Sequence, residues 1–411
     1  MKIDFVSAQV NPLAAIGGPG FGSQHIHVAA LARELGRRGH KITVYTRRDS
    51  QNVPAQVRIA PRVTVEHVPA GPARELPQDK QLSFMAEFGA YLADRWLREP
   101  PDMVHAHYWM SGLAALTGAR ELRLPVVQTF HGLGVPSRRR AAGEDPGPAA
   151  RVRLEAAIAR GVDAIVATSS DEAFALVRLG VPRHLIRVVP SGVDTGQFTP
   201  DGPAAQRGDQ PRLLTVGRLG QHTGLEEILQ ALAGVPDCEL LIAGGPAKAK
   251  LRQDREYRRL AKLAGQLGVA SRVKFCGRVS HQEMPGMFRS ADLVVSVPWH
   301  GPSGVVPLEA MACGTPVVAS AVGGHQDTVV DGTTGVLVPP RQPEMLARRI
   351  RDLLASPMLC QGLGIAAADR AVARYSWERI GQETLAVYQR IHRAQRSEPA
   401  AAAAPAAPQA R

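Results

Sequence analysis

Glu309 stands where the most chemistry can be assembled. It lies in the stretch VPWHGPSGVVPLEAMACGTP, residues 297–316. Leu293 to Val297 read as a strand, four apolar residues in five, and run into a loop rich in glycine and proline. A helix is expected from about Pro307, whose missing amide hydrogen costs nothing in the first turn. Strand, glycine-rich loop and helix together aim free backbone amides at an anion. Glu309, about one turn inside, can accept hydrogen bonds from a diol such as a ribose. Gly314 and Pro316 end the helix, and Val317 to Ser320 form the next strand. The spacing alone also fits an ordinary β-α-β crossover in a parallel sheet.

Two histidines and a second glycine-rich turn offer further chemistry. His107 ends an expected strand, Asp102 to His107. His131 follows another, Pro125 to Thr129. The C-terminal ends of strands are where ligands bind in open α/β sheets, although each histidine alone reads as readily as a structural residue. After a first strand, Lys2 to Ser7, comes Gly17-Gly18-Pro19-Gly20-Phe21-Gly22-Ser23-Gln24. Read as a dinucleotide fingerprint from Gly18, the pattern meets Gly20 but then Ser23, and the turn is long for that purpose. The other reading is a loop that faces a phosphate or sugar across a cleft.

The elements that must hold these residues alternate strand and helix. In the first half, a helix from about His25 to Arg38 with Gly39 as C-cap leads to a strand, Lys41 to Arg47. Residues 49–80 are expected to hold one strand, Val63 to Val68. A helix follows from Ser83 to Glu99, then Ala149 to Arg160, strand Ala164 to Thr168, helix Asp171 to Leu179 and strand Ile186 to Val189. Pro200 to Pro211 reads as a linker. The second half begins again with strand Arg212 to Val216, then Gly217-Arg218-Leu219. Helix Leu225 to Leu232, strand Glu239 to Ala243, helix Asp254 to Leu267, strand Val273 to Cys276 and helix His281 to Ser290 lead back to the Glu309 stretch. Such alternation implies two parallel sheets with right-handed crossovers.

Composition agrees with a two-domain globular chain. There are 411 residues, long for one core, with 45% hydrophobic and 21% charged residues. No apolar run reaches the length of a membrane span, and Met1 leads straight into a strand without a signal-peptide pattern. The four cysteines, Cys238, Cys276, Cys313 and Cys360, have no metal-ligand spacing. Reduced thiols in a cytoplasmic protein are expected, with no metal. The formal charge of +12 is carried mostly by arginine. It reflects coding bias, or draws the protein to acidic substrates or, peripherally, to anionic membrane surfaces. Nucleic acid is not expected as a partner, because aromatics are only 5% and no basic segment interleaves them.

The words of the chain go further than its spacing. GVVPLEAMACGTPVVAS, with Gly323-Gly324 and DGTTGVLV after it, closely resembles the donor-binding region of the retaining glycosyltransferases of family 4, which have the two-domain GT-B fold. PDMVHAHYWMSGLAAL and VVQTFHGLG resemble the sucrose-phosphate-synthase-like and mycothiol-glycosyltransferase-like branch of that family. The resemblance covers nearly all of residues 1–393. It implies two Rossmann-like domains whose sheets face across a cleft. Residues 1–195 would be the acceptor side and 196–375 the nucleotide-sugar side. A helix over 376–393 would cross back to the first domain, and the Ala/Pro segment 394–411 would be a disordered tail.

By the same resemblance, the donor is a nucleoside diphosphate sugar, with an unknown acceptor and no separate cofactor. Glu309 would hold the ribose, the Arg278-Val279 backbone the base edge, and His131 the donor sugar near its anomeric carbon, with His107 close by. Arg218 in Gly217-Arg218-Leu219 would grip the leaving diphosphate, helped by the amides of Gly304, Val305 and Val306 and by the loop that holds Gly18 and Gly22. Two positions depart from the family pattern. The first glutamate of its Glu-x7-Glu signature falls at Gly301, in a segment where His300 and Ser303 are the polar side chains left to meet a sugar. The lysine of its Gly-Arg-Leu-x4-Lys motif falls at Thr223. One cation lost at a desolvated phosphate is worth on the order of 2–4 kcal/mol, roughly a hundred- to a thousand-fold in rate. The adjacent His222 could carry that charge when protonated.

Overall fold

The protein is described by a computed structural model covering residues 1–13, 24–134, 150–300 and 304–397. Gly18, Gly22, Gly301 and Ser303 of the expected site lie outside these residues, as does the expected tail from Glu398 onward.

The first domain is built on eight strands: β1 (Lys2–Val6), β2 (Lys41–Arg47), β3 (Gln56–Ala60), β4 (Val63–Val68), β5 (Met103–His107), β6 (Val126–Thr129), β7 (Ala164–Ala167) and β8 (Ile186–Val188). Their order is β3-β4-β2-β1-β5-β6-β7-β8. All neighbours run parallel except β3, which pairs antiparallel with β4. β1 shows how the period of two builds the layers. Ile3 and Phe5 pack with Leu31 and Leu35 of the helix Gln24–Arg37, while Val6 packs with Phe88 and Trp96 of the helix Met85–Arg98. Asp4 shares that second face, accepting a 2.8 Å hydrogen bond from Trp96 Nε1. Burial raises its pKa to about 6.

The second sheet holds β9 (Arg212–Val216), β10 (Glu239–Ala243), β11 (Val273–Gly277), β12 (Leu293–Ser296), β13 (Val317–Ser320) and β14 (Val336–Val338), in the order β11-β10-β9-β12-β13-β14, all parallel. In both sheets the order reverses beside the first strand, between β1 and β5 and between β9 and β12. These are the two places where an open α/β sheet leaves a crevice at its carboxyl edge. The loops that leave these strands carry Tyr108, Gly217–Gly224 and Val297–His300.

The helix Trp377–Ser397 returns to the first domain and continues four residues beyond the expected end at 393. Its root is fixed by Val193 N–H bonding Tyr375 O at 2.8 Å. A Cβ on Gly192 would lie 2.7 Å from the Trp377 ring, so only glycine lets the linker pass. Further along, Tyr388 reaches the first sheet. Its hydroxyl lies 2.6 Å from His105 Nδ1.

Several elements differ from expectation. Residues 49–80 hold two strands, because β3 folds back on β4 as an edge of mixed exposure with no clean alternation. The helix Trp109–Ala119 is apolar around most of its circumference, which hides its period. It packs so closely that a Cβ on Gly118 would lie 2.9 Å from Leu92 Cβ. The helix Pro357–Tyr375, rich in alanine and glycine, is likewise unannounced. The expected helix from His281 starts at Met284, with Pro285 in its first turn, which leaves His281 in the preceding turn. The helix of the Glu309 stretch starts at Val305. Gly304 caps it at φ +61°, and Pro307 occupies its third position, still within the first turn. Among the described residues, no helix is long and apolar enough to cross a membrane.

Candidate active site

The first-domain half of the site is a nest of imidazoles. His105 and His107 both come from β5, His131 follows β6, and His27 comes from the first turns of the helix Gln24–Arg37. His107 Nδ1 and His131 Nε2 are 3.0 Å apart. The His27 ring sits edge-on to His131 at 5.0 Å and to Trp377 at 5.3 Å. Behind them His105 is held by Tyr388 and by Thr129 Oγ1 at 2.8 Å. Burial pushes the pKa of His27 down to about 4 and that of His105 to about 3, and holds His107 and His131 well below the usual histidine range. All four are therefore neutral at pH 7. They act as hydrogen-bonding groups rather than charges. His131 is half-buried where the other three are enclosed, and His27 is the one of the four that lines the interdomain cavity.

Two buried glutamates hold the His131 loop in place. Glu172 accepts from Gly132 N at 3.0 Å and from Thr168 N at 2.6 Å. Glu155 accepts from Gly134 N at 2.9 Å and from Arg151 Nε at 2.7 Å. Burial raises both carboxyl pKa values against these bonds. Arg151 also donates to Gly132 O at 2.8 Å and lies over the Tyr108 ring at 5.2 Å. The backbone is strained where it meets the cleft: His131 has φ +54° and Tyr108 φ +76°. Strain of this kind, about 1–3 kcal/mol per residue, persists where the surroundings over-determine it and concentrates at functional sites.

The second-domain half is built at the β9/β12 switch point. The loops after β9 and β12 lock together through Trp299 N donating to His222 O at 3.1 Å and through their rings at 4.6 Å. Trp299 is itself fixed by Glu227, which accepts from its Nε1 at 2.6 Å, and by Arg341 over its ring at 4.5 Å. A Cβ on Gly224 would lie 2.0 Å from Val297 O, so the approach of the two loops requires glycine there. In the middle of the helix Val305–Ala312, Glu309 places its Oε1 2.9 Å from His281 Nε2. Burial raises the Glu309 pKa, and the bond from His281 opposes that rise.

A small cavity joins the halves. Val305, Glu309 and His281 of the second domain line it together with Ile26 and His27 of the first, the linker Ser191–Asp194 and Phe198, and Trp377. Of the expected residues, the structure thus brings Glu309 and Val305 to the junction, with His131 and His107 adjacent through His27. Val306 is half-buried in the same first turn. Arg218 stands apart from this cavity, exposed on the loop after β9. Gly217 is not the glycine its loop needs, since a Cβ there would meet nothing. The need falls on Gly244, where a Cβ would lie 1.9 Å from Gly217 O at φ +136°. Arg278 is exposed, and its amide is committed to Pro246 O at 3.0 Å. His300 lies 5.6 Å from His222. His222 is enclosed between Trp299 and His300, with both ring nitrogens buried and no hydrogen-bond partner among the described residues. Thr223 Oγ1 folds back to Gly220 O at 2.7 Å.

Among the described residues, the group suited to a metal ion is His27, His107 and His131, whose ligating nitrogens lie within 4.8 Å of one another. Two of them already share a hydrogen bond, and no carboxylate joins them. Sequence reasoning missed His27 and His281. Neither has a local signature. Each gains its place only through a partner more than twenty residues away.

Residues 24–197 match the family model described as Glycosyltransferase Family 4, and residues 201–370 match that of Glycosyl transferases group 1. The chain is 35% identical over 407 residues to D-inositol 3-phosphate glycosyltransferase from Geodermatophilus obscurus, covering 94% of this chain and 89% of that one. Among solved structures, sucrose-phosphate synthase from Thermosynechococcus elongatus superposes with a TM-score of 0.86 at 29% identity, covering 96% of this chain and 99% of that one. The Anabaena protein HepE (Alr3699), in complex with UDP and glucose, shares the fold with a TM-score of 0.71 at 20% identity, over 95% and 99% of the two chains. Two Rossmann-like domains closed by a returning helix, with these relatives, define a glycosyltransferase of the GT-B type. Within that class the chain belongs to glycosyltransferase family 4.

Proposed function

We propose that this protein moves a hexosyl group from a nucleoside diphosphate sugar to an acceptor hydroxyl, with retention at the anomeric carbon. The observation that carries the reading is the cavity where Glu309 and the first turn at Val305 face His27 across the domain junction. In this reading Glu309 accepts the ribose hydroxyls. Arg218 and the amides of Gly304, Val305 and Val306 draw off charge as the diphosphate leaves, the main electrostatic lever of such a transfer. The planar fork of Arg218 suits a phosphate. Neutral His131 hydrogen-bonds the donor sugar without opposing the positive charge that develops on it. The backbone at Arg278 and Val279 meets the base. Same-face transfer needs no carboxylate pair, so none is assigned. The acceptor is a phosphorylated polyol. Support comes from the relative named for D-inositol 3-phosphate. Glu309→Ala and Arg218→Ala should each abolish transfer; full activity in either would overturn the site assignment.

A second reading is favoured by one observation. Thr223, at the motif lysine position, turns its hydroxyl into its own loop, and Gly301 offers no side chain at the other lost position. Under it the protein binds nucleotide, or a partner protein, without transfer. Restoring both groups, with Gly301→Glu and Thr223→Lys, would then create or greatly raise donor hydrolysis. No gain from the double variant counts against simple loss of those two groups.

A further inference from the structure

We infer that His281 is a positioning residue that aims Glu309 at the nucleotide ribose, and that Gln197 of the interdomain linker sets it in turn. The inference rests on the reading that Glu309 grips the ribose.

The proton assignment follows from the bonds. Gln197 Nε2 lies 2.6 Å from the His281 carbonyl oxygen and 3.3 Å from His281 Nδ1. A carbonyl only accepts, so the side-chain atom facing it is the amide nitrogen, and its second hydrogen points to Nδ1. Nδ1 is therefore the acceptor nitrogen of the ring. The ring proton sits on Nε2, which donates to Glu309 Oε1 at 2.9 Å. The ring plane is fixed by Phe198, edge-on at 4.9 Å. The groups that face His281 are thus Glu309 from the helix Val305–Ala312 and Gln197 and Phe198 from the linker.

The consequence for Glu309 is geometric. It is only 7% exposed, and a carboxylate with so little access must present one oxygen to the cavity and satisfy the other inside. His281 takes Oε1 and leaves Oε2 for the ribose. Without that bond the carboxylate loses its orientation, and burial favours its protonated form, which accepts from a diol less well. Gln197, His281 and Glu309 form one line from the linker to the site, so the linker conformation is felt at the nucleotide.

The test measures discrimination. UDP, ADP and GDP are each titrated calorimetrically against their 2′,3′-dideoxy analogues. Wild-type protein should prefer the ribose form of its best diphosphate about 10- to 100-fold, the range for hydrogen bonds to a charged group. Glu309→Ala should abolish that preference. His281→Phe should reduce it to less than about 3-fold while leaving the dideoxy affinity within about 2-fold. His281→Gln, which keeps an N–H, should restore part of it. Gln197→Ala, whose side chain is remote from the ribose, should lower it several-fold, and it decides the matter if His281→Phe does not fold. Retention of the full preference in the His281 variants, with its loss in Glu309→Ala, overturns this inference alone. A wild-type protein that ignores the ribose hydroxyls, or binds none of the diphosphates, overturns the ribose reading and this inference with it.

Discussion

Lowering the pH from 7.5 to 5.5 is expected to cost the first domain a large part of its stability, and the imidazole nest sets the amount. In the fold His27 titrates near 4 and His105 near 3, with His107 and His131 also well below the ordinary range. An unfolded histidine titrates near 6.5. A histidine depressed in this way contributes stability that is present above 6.5 and lost as the pH falls towards its folded value. At pH 5.5 His27 and His105 each cost about 1.4 kcal/mol, about 3 kcal/mol together, and His107 and His131 act in the same direction. Asp4 acts in the opposite sense. Its pKa is raised to about 6, so protonation over the same interval returns about 1 kcal/mol. The net loss from His27, His105 and Asp4 is about 2 kcal/mol, a large fraction of the stability of an ordinary domain. Urea unfolding at pH 7.5, 6.5 and 5.5, followed by hydrogen exchange in β1, β5 and β6, reads this directly. The double variant His27→Gln, His105→Gln should recover about 3 kcal/mol of the acid loss. A flat profile down to pH 5.5, or a double variant as acid-sensitive as the wild type, would refute the reasoning.

Three further outcomes follow from single contacts. Arg218→Ala should weaken calorimetric binding of a nucleoside diphosphate by about 10- to 100-fold without changing the melting temperature, because the side chain is exposed. Gly244→Ala places a Cβ 1.9 Å from Gly217 O at φ +136°. It should cost about 2–4 kcal/mol in thermal unfolding and weaken diphosphate binding as well, through the displaced Arg218 loop. Asp4→Asn removes a carboxylate whose ionisation is penalised once the pH exceeds about 6. It should stabilise by up to about 3 kcal/mol at pH 8 and by only about 0.5 kcal/mol at pH 4, measured as the difference between denaturation midpoints.

Apolar runs made most strands of both sheets legible, because a buried parallel strand needs nothing else to identify it. β3 was not, since an edge strand of mixed exposure lacks both the run and the alternation. The helix Trp109–Ala119 escaped because a helix buried all round has no polar face to give its period. At the site, Glu309 was legible from a local arrangement of strand, loop and helix. His281 was not: its bond to Glu309 closes over 28 residues and its bonds to Gln197 over 84. Which glycine the close approach of these loops requires was hidden for the same reason. Gly217 and Gly244 both end strands, and only the packing of β9 beside β10 decides which of them meets a backbone. The neutrality of His131 likewise depends on burial that only the assembled fold supplies, with His27 and His105 adding to it.

The most direct measurement of the central claim is calorimetric titration of the purified protein with a panel of nucleoside diphosphates and their hexose conjugates. A hexose conjugate that binds more tightly than its bare diphosphate, with heat of turnover once a phosphorylated polyol is added, is the predicted result. Equal or weaker binding of every conjugate, with no turnover, would contradict the transferase reading and leave a nucleotide-binding member of the family.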